Sequence, residues 1–404
     1  MSSKSANSIY FPSLNALRFM AAILVVITHI ELIKHHLKYG RHFWSFYQGS
    51  GWEAPIASVI NKKLHWISPL VSTAGPIGVV FFFVLSGFLI SYLLLAEREK
   101  TGTIGLKAFY MRRILRIWPL YFFILILGFF ILPNFDLFYI PFQSESLSTH
   151  FWPNLLLYIF ILPNLAQALY LPIPHIGQAW SIGVEEQFYI IWPLLFKLRK
   201  NIVSTIIYAF LFFVLIKILF LFVDFDLLSS SSEDVMKKFL AATKVECMAL
   251  GALAAYILFY RKTTILKIIY SDFVFYSSLA SIPILIYCTP ALLQDAQHLV
   301  LSISFLIIIL NLSTNKKHSQ FLENKFFSFL GKISYGIYMY HFVICTVVIK
   351  CFIMLNIEYN ALSQALIYFF IISLTVLISW LSYEYLEKGF LRLKSNYQKI
   401  KSTS

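Results

Sequence analysis

Ten stretches of this chain are apolar for 15 to 25 residues, against the roughly 17 to 25 with which a helix crosses the hydrocarbon of a bilayer. They fall at residues 14–33, 76–95, 117–132, 180–196, 202–223, 239–259, 271–290, 298–312, 333–355 and 362–386. With no water to hydrogen-bond the backbone, such stretches have one economical solution, the α-helix. The expected fold is therefore all-α, a polytopic transmembrane helical bundle of about ten spans. An eleventh candidate, 151–171, is interrupted by Pro153 and Pro163 and followed by Pro172. It is expected to be re-entrant or peripheral.

Charge placement orients the bundle. Without the eleventh crossing and with a cytoplasmic N-terminus, 22 of the 33 Lys and Arg fall in inner segments and seven in outer ones, and Arg18, Lys217, Lys244 and Lys350 lie within spans. That asymmetry follows the positive-inside rule, although five basic residues in the first outer loop run against it. Both termini are expected to be cytoplasmic, within an inner (cytoplasmic) membrane and in contact with its lipids. Residues 1–404 read as one membrane domain, with tails at 1–12 and 388–404 and no appended soluble domain. The net charge of +14 is dispersed between spans, with no continuous basic stripe, so nucleic acid is not an expected partner. The four cysteines are far apart and lack paired metal-ligand spacing, so neither a disulfide framework nor a metal site is expected.

Ionisable side chains inside spans are costly and mark function. Arg18 and His29 are eleven residues apart on the first span, so at about 100° per residue they share a helical face, about 16 Å apart along the axis. Arg112, Arg113 and Arg116 cluster at an inner membrane edge, where guanidinium forks suit phosphates and also suit plain anchoring. Glu185 and Glu186 enter a span side by side and project about 100° apart, so they cannot share one role. Lys244 and Glu246, two residues apart, each need a partner on another helix. His341, a third of the way across the ninth span, reads as a buried packing or hydrogen-bonding residue. A transporter or flippase is the alternative from another class, since charges within helices also line translocation pathways.

Taken in order, several segments resemble the acyltransferase 3 family of membrane-bound acyltransferases, which includes enzymes that O-acetylate bacterial surface glycans. The segments are Leu14-Asn-Ala-Leu-Arg18 with His29, Gly78-Val-Val-Phe-Phe-Phe-Val-Leu-Ser-Gly-Phe-Leu-Ile90, the Arg113 and Arg116 pair, residues 180–193, 244–252 and 330–341, and Tyr383-Glu-Tyr-Leu-Glu-Lys-Gly-Phe-Leu-Arg392. The chain departs from the family pattern at Asn15, Ala16, Val80 and Gly389. The resemblance implies transfer of an acyl group, acetyl by expectation, from cytoplasmic acyl-CoA to a hydroxyl of an extracytoplasmic glycan or glycolipid. On that reading Arg113 and Arg116 hold phosphates and Arg18 lines the way in. His29 deprotonates the acceptor or carries the acyl group, and Glu185 fixes the His29 tautomer.

Overall fold

The structure is a computed structural model that describes residues 8–9, 11, 13–39, 68–222, 230–288, 296–358, 360–397 and 401–402. Arg41, Trp44, Lys62 and Lys63, expected in the first outer loop, Asp226, expected to face outward, and most of the N-terminal tail lie outside the described residues.

The helices follow the apolar stretches. They are α1 (Ser13–Tyr39), α2 (Ser68–Thr101), α3 (Leu106–Ile126), α4 (Phe151–Ile159), α5 (Pro163–Leu169), α6 (Trp180–Leu198), α7 (Ile202–Phe222), α8 (Ser230–Ala242), α9 (Val245–Phe259), α10 (Thr263–Ile269), α11 (Asp272–Cys288), α12 (Gln297–Thr314), α13 (Lys325–Lys332), α14 (Ser334–Met354) and α15 (Ala361–Ser382). Among the described residues, eight helical segments are long and apolar enough to span, with α8 and α9 counted together; the α10–α11 pair, bent by 58°, makes a ninth. Helix α6 has 19 residues, but Glu185, Glu186 and Lys197 lower its apolar content. The eleventh candidate breaks into α4 and α5, of nine and seven residues, with Ile161 at φ 61° between them. Each piece is far short of the ~20 residues a crossing needs.

Burial sorts the helices into an inner and an outer set. Side chains of α1, α2, α9 and α14 make the core, including Val26, Phe83, Met248 and Met339. Helix α7 instead exposes Tyr208, Phe212 and Leu215, and α15 exposes Phe369 and Leu377. An apolar side chain exposed along a membrane-spanning helix faces lipid tails, so these two helices form the rim. No hydrophobic force pulls helices together within lipid, and close packing depends on small residues. The α2–α9 crossing shows this: a Cβ at Gly87 would stand 2.0 Å from the Met248 carbonyl oxygen, and one at Gly251 would stand 1.9 Å from the Val84 carbonyl oxygen. Gly331 lets α13 reach the backbone of Asn15 on α1 in the same way, at 2.4 Å.

The two ends of the chain meet. Ser8–Ile9 pairs in parallel with Lys401–Ser402, and the Tyr397 carbonyl accepts a hydrogen bond of 2.8 Å from Arg112. Residues 8–9, 397 and 401–402 and the basic end of α3 therefore share one face of the bundle.

Candidate active site

The first half of the site is a cavity of ≈ 140 Å³ whose polar wall comes from Arg18, Arg113, Arg116, Glu185, Tyr189 and Tyr338. Helix α1 brings Arg18 there, 9% exposed, with its Nη1 donating to Asn15 Oδ1 at 3.1 Å. Helix α3 brings the other two arginines one turn apart. The Arg113 guanidinium lies over the rings of Phe109 and Tyr189, 5.6 Å from each centroid. Its Nε is buried without a hydrogen-bond partner. Arg112 has a different role: it pairs with Glu97 at 3.1 Å and ties down the C-terminal turn. The three arginines that look alike in sequence are thus divided, Arg112 bound into the scaffold and Arg113 and Arg116 facing the cavity.

Among the described residues, no carboxylate lies within ion-pair distance of Arg18, Arg113 or Arg116. Lys394, 7% exposed in the turn after the last helix, stands within electrostatic range of the same three arginines. Three guanidinium groups gathered around a partly enclosed space repel one another, and an anion relieves that repulsion. Glu185 is the carboxylate in the cavity wall. It accepts from Tyr189 Oη at 2.8 Å, and Tyr189 Oη is in turn 2.5 Å from Ser86 Oγ.

The expectation that Glu185 orients His29 is corrected by this geometry, because Glu185 is committed to Tyr189 in the arginine cavity. Glu186 diverges from it, as their 100° separation requires, and accepts from Trp118 Nε1 at 3.1 Å. The partner of His29 is His341 on α14, with His29 Nδ1 3.0 Å from His341 Nε2 and the ring centroids 5.0 Å apart. His341 is fully buried and His29 is partly buried. Tyr338 joins the two halves of the site: it lines the arginine cavity and its ring centroid is 5.9 Å from that of His341. The segment before α6 fixes this junction, since Tyr338 Oη donates to the Gln178 carbonyl at 3.0 Å and Gln178 Nε2 donates to the Met339 carbonyl at 2.9 Å.

Elsewhere Glu246 has the interhelical partners expected of it, Lys217 on α7 at 2.5 Å and His298 on α12 at 2.9 Å. Glu246, Cys247 and His298 place their ligand atoms within 4.8 Å of one another. Lys217 and His298 both meet Glu246 Oε1, whereas Glu246 Oε2 is buried without a hydrogen-bond partner among the described residues. The group reads as a buried charge network.

Sequence reasoning singled out Arg18, His29, Arg113, Arg116 and Glu185 but not Lys394, Tyr189 or Ser86, and it read His341 as a buried packing or hydrogen-bonding residue. Lys394 carried no distinguishing signal within a basic tail. Tyr338 and His341 lay in a segment already singled out, with nothing local to reveal what they face.

A family model described as an acyltransferase domain matches residues 11–384. A Staphylococcus aureus (strain COL) protein whose O-acetyltransferase name is provisional is 26% identical over 394 residues, covering 94% of this chain. The O-acetyltransferase OatA of Staphylococcus aureus (strain NCTC 8325 / PS 47) is 26% identical over 405 residues, again covering 94%. The chain spans 57% and 58% of the lengths of these two relatives. No solved structure matches the chain. With its family model matched over nearly the whole chain, this multi-pass helical membrane protein belongs to the acyltransferase 3 family.

Proposed function

We propose that the chain is a membrane O-acyltransferase that moves an acyl group, acetyl by likeness to its relatives, from acyl-CoA to a hydroxyl of a glycan or glycolipid. The observation that carries this reading is the continuity of the site. A cavity rich in unneutralised cations leads, through Tyr338, to a paired histidine higher on the same helix that supplies Arg18. The phosphates of acyl-CoA suit the cationic end, and its extended thiol arm suits the passage from Arg18 to His29, about 16 Å along the helix axis. The arginines share a face with residues 8–9 and 401–402, and the positive-inside asymmetry supports assigning that face to the cytoplasm of an inner membrane. His29 then lies toward the far side, where the acceptor arrives.

In the transfer step the acceptor hydroxyl gives its proton to His29 and its oxygen bonds to the thioester carbonyl carbon. The carbon–sulfur bond breaks with the electron pair leaving on sulfur, and the His29 proton passes to that thiolate, so free CoA and an ester are the products. Apart from the donor substrate, this route uses only side chains of the chain.

The test is the ester content of surface glycans in cells with and without the protein, together with the mass of the glycan. An added acetyl ester that disappears with the gene supports the reading. An unchanged glycan structure accompanied by loss of substrate movement across the membrane would replace it with transport.

A further inference from the structure

We infer that His341 is a positioning residue for His29, holding the His29 ring in the tautomer whose Nε2 lone pair is free to take the acceptor's proton. The inference rests on the acyl-transfer reading of His29 and adds to it a role for a second histidine, 312 residues away in sequence.

The argument is one of donors and acceptors. His341 Nδ1 is 3.3 Å from the carbonyl oxygen of Ile337, one helical turn back. A carbonyl can only accept, so in a neutral ring this contact requires the proton on His341 Nδ1 and leaves Nε2 as a lone pair. That Nε2 is the atom 3.0 Å from His29 Nδ1. The hydrogen between the rings therefore belongs to His29 Nδ1, and a neutral His29 protonated there has a bare Nε2. The opposite assignment would set the His341 Nδ1 lone pair against the Ile337 oxygen inside a fully buried site, where an unmatched polar contact is costly. Aromatic neighbours hold the pair in place, with Phe342 5.3 Å from His29 and Tyr338 5.9 Å from His341 between ring centroids.

The arrangement favours the transition state over the ground state. When the acceptor's proton arrives on His29 Nε2, the ring becomes an imidazolium and its Nδ1–H···Nε2 bond to His341 becomes charge-assisted, while His341 keeps its own proton on Nδ1. A neutral imidazole here fills the orienting role that a carboxylate fills in serine hydrolases. A phenylalanine would fill the same space as His341 but could not accept this bond. A glutamine, whose side-chain oxygen reaches a position close to Nε2, could.

The direct experiment is 15N-histidine NMR of the full chain in detergent micelles at neutral pH, with the His29 signals assigned by their loss in His29→Ala. Protonated Nδ1 and unprotonated Nε2 on His29 are expected, and the reverse tautomer overturns the inference without need of any His341 variant. The kinetic experiment follows acetyl ester accumulation on surface glycans at matched membrane abundance, with acetyl-CoA affinity measured on each purified variant. His341→Phe should slow transfer about a hundredfold, the low end of what a positioned base contributes, with acetyl-CoA affinity retained. His341→Gln should recover to within about tenfold of wild type. Wild-type transfer by His341→Phe alongside an inactive His29→Ala would sink the positioning role alone. Wild-type transfer by His29→Ala would sink the acyl-transfer reading beneath it.

Discussion

Replacing Arg113 and Arg116 together by alanine tests the donor half of the site. Arg113 lies over two aromatic rings and has a buried Nε with no protein partner, so its hydrogen-bonding capacity is not spent within the fold. A hydrogen bond to a charged group contributes about 1.5–3 kcal/mol, which is roughly a 10- to 150-fold loss of affinity per guanidinium removed. The double variant should therefore bind acetyl-CoA at least about a hundredfold more weakly. Lysine at both positions should restore only part of this, because an ammonium brings charge without the planar fork that stacks on Phe109 and Tyr189. Calorimetric titration of the purified protein with acetyl-CoA, and with its 3′-dephospho analogue, measures the loss and shows whether it follows phosphate. Arg112→Ala is the comparison, since it breaks the Glu97 pair and loosens the C-terminal turn while leaving the two cavity arginines in place. Unchanged affinity in a folded double alanine variant would refute the phosphate assignment and return both residues to membrane anchoring.

Three further outcomes are expected. His29→Ala should reduce acyl transfer by about a hundredfold or more while leaving acetyl-CoA affinity near wild type, measured by product ester and by titration. In a cysteine-free background, an impermeant thiol reagent applied to sealed cells should reach a cysteine at position 226 and miss one at 107; the reverse pattern would invert the topology. Gly251→Ala should destabilise the protein by about 1–3 kcal/mol or more, because the new Cβ meets the Val84 carbonyl and the Phe88 nitrogen, both backbone. Gly389→Ala, with nothing within 4 Å of its added Cβ, should leave the melting temperature in detergent nearly unchanged.

Properties carried along one helix were legible in the sequence. The length of an apolar run predicts a span, and 100° per residue predicts both the shared face of Arg18 and His29 and the divergence of Glu185 from Glu186, which find separate partners in Tyr189 and Trp118. Properties that depend on which helices are neighbours were not. Glu185 was the expected partner for His29 until the packing of α14 on α1 brought an imidazole there instead. The resemblance already set Arg113 and Arg116 apart from Arg112, but the partner of Arg112, Glu97 at the end of α2, became visible only in the packing. Lys394 gained its place from a turn that folds back onto α3, a contact made across 285 residues of sequence.

The glycine crossing of α2 and α9 divides the molecule mechanically. With backbone against backbone at Gly87 and Gly251, those two helices have no side-chain cushion to slide on, and they behave as one stiff beam. Ser86 places that beam along one wall of the arginine cavity, and the facing wall comes from α3, α6 and α14. Any widening of that cavity has to come from the facing side. The residues proposed to hold phosphate, Arg113 and Arg116 on α3, are on that facing side. On that proposal donor capture and wall displacement are coupled, and a crosslink locking α3 to α2 is expected to hinder loading without touching either histidine.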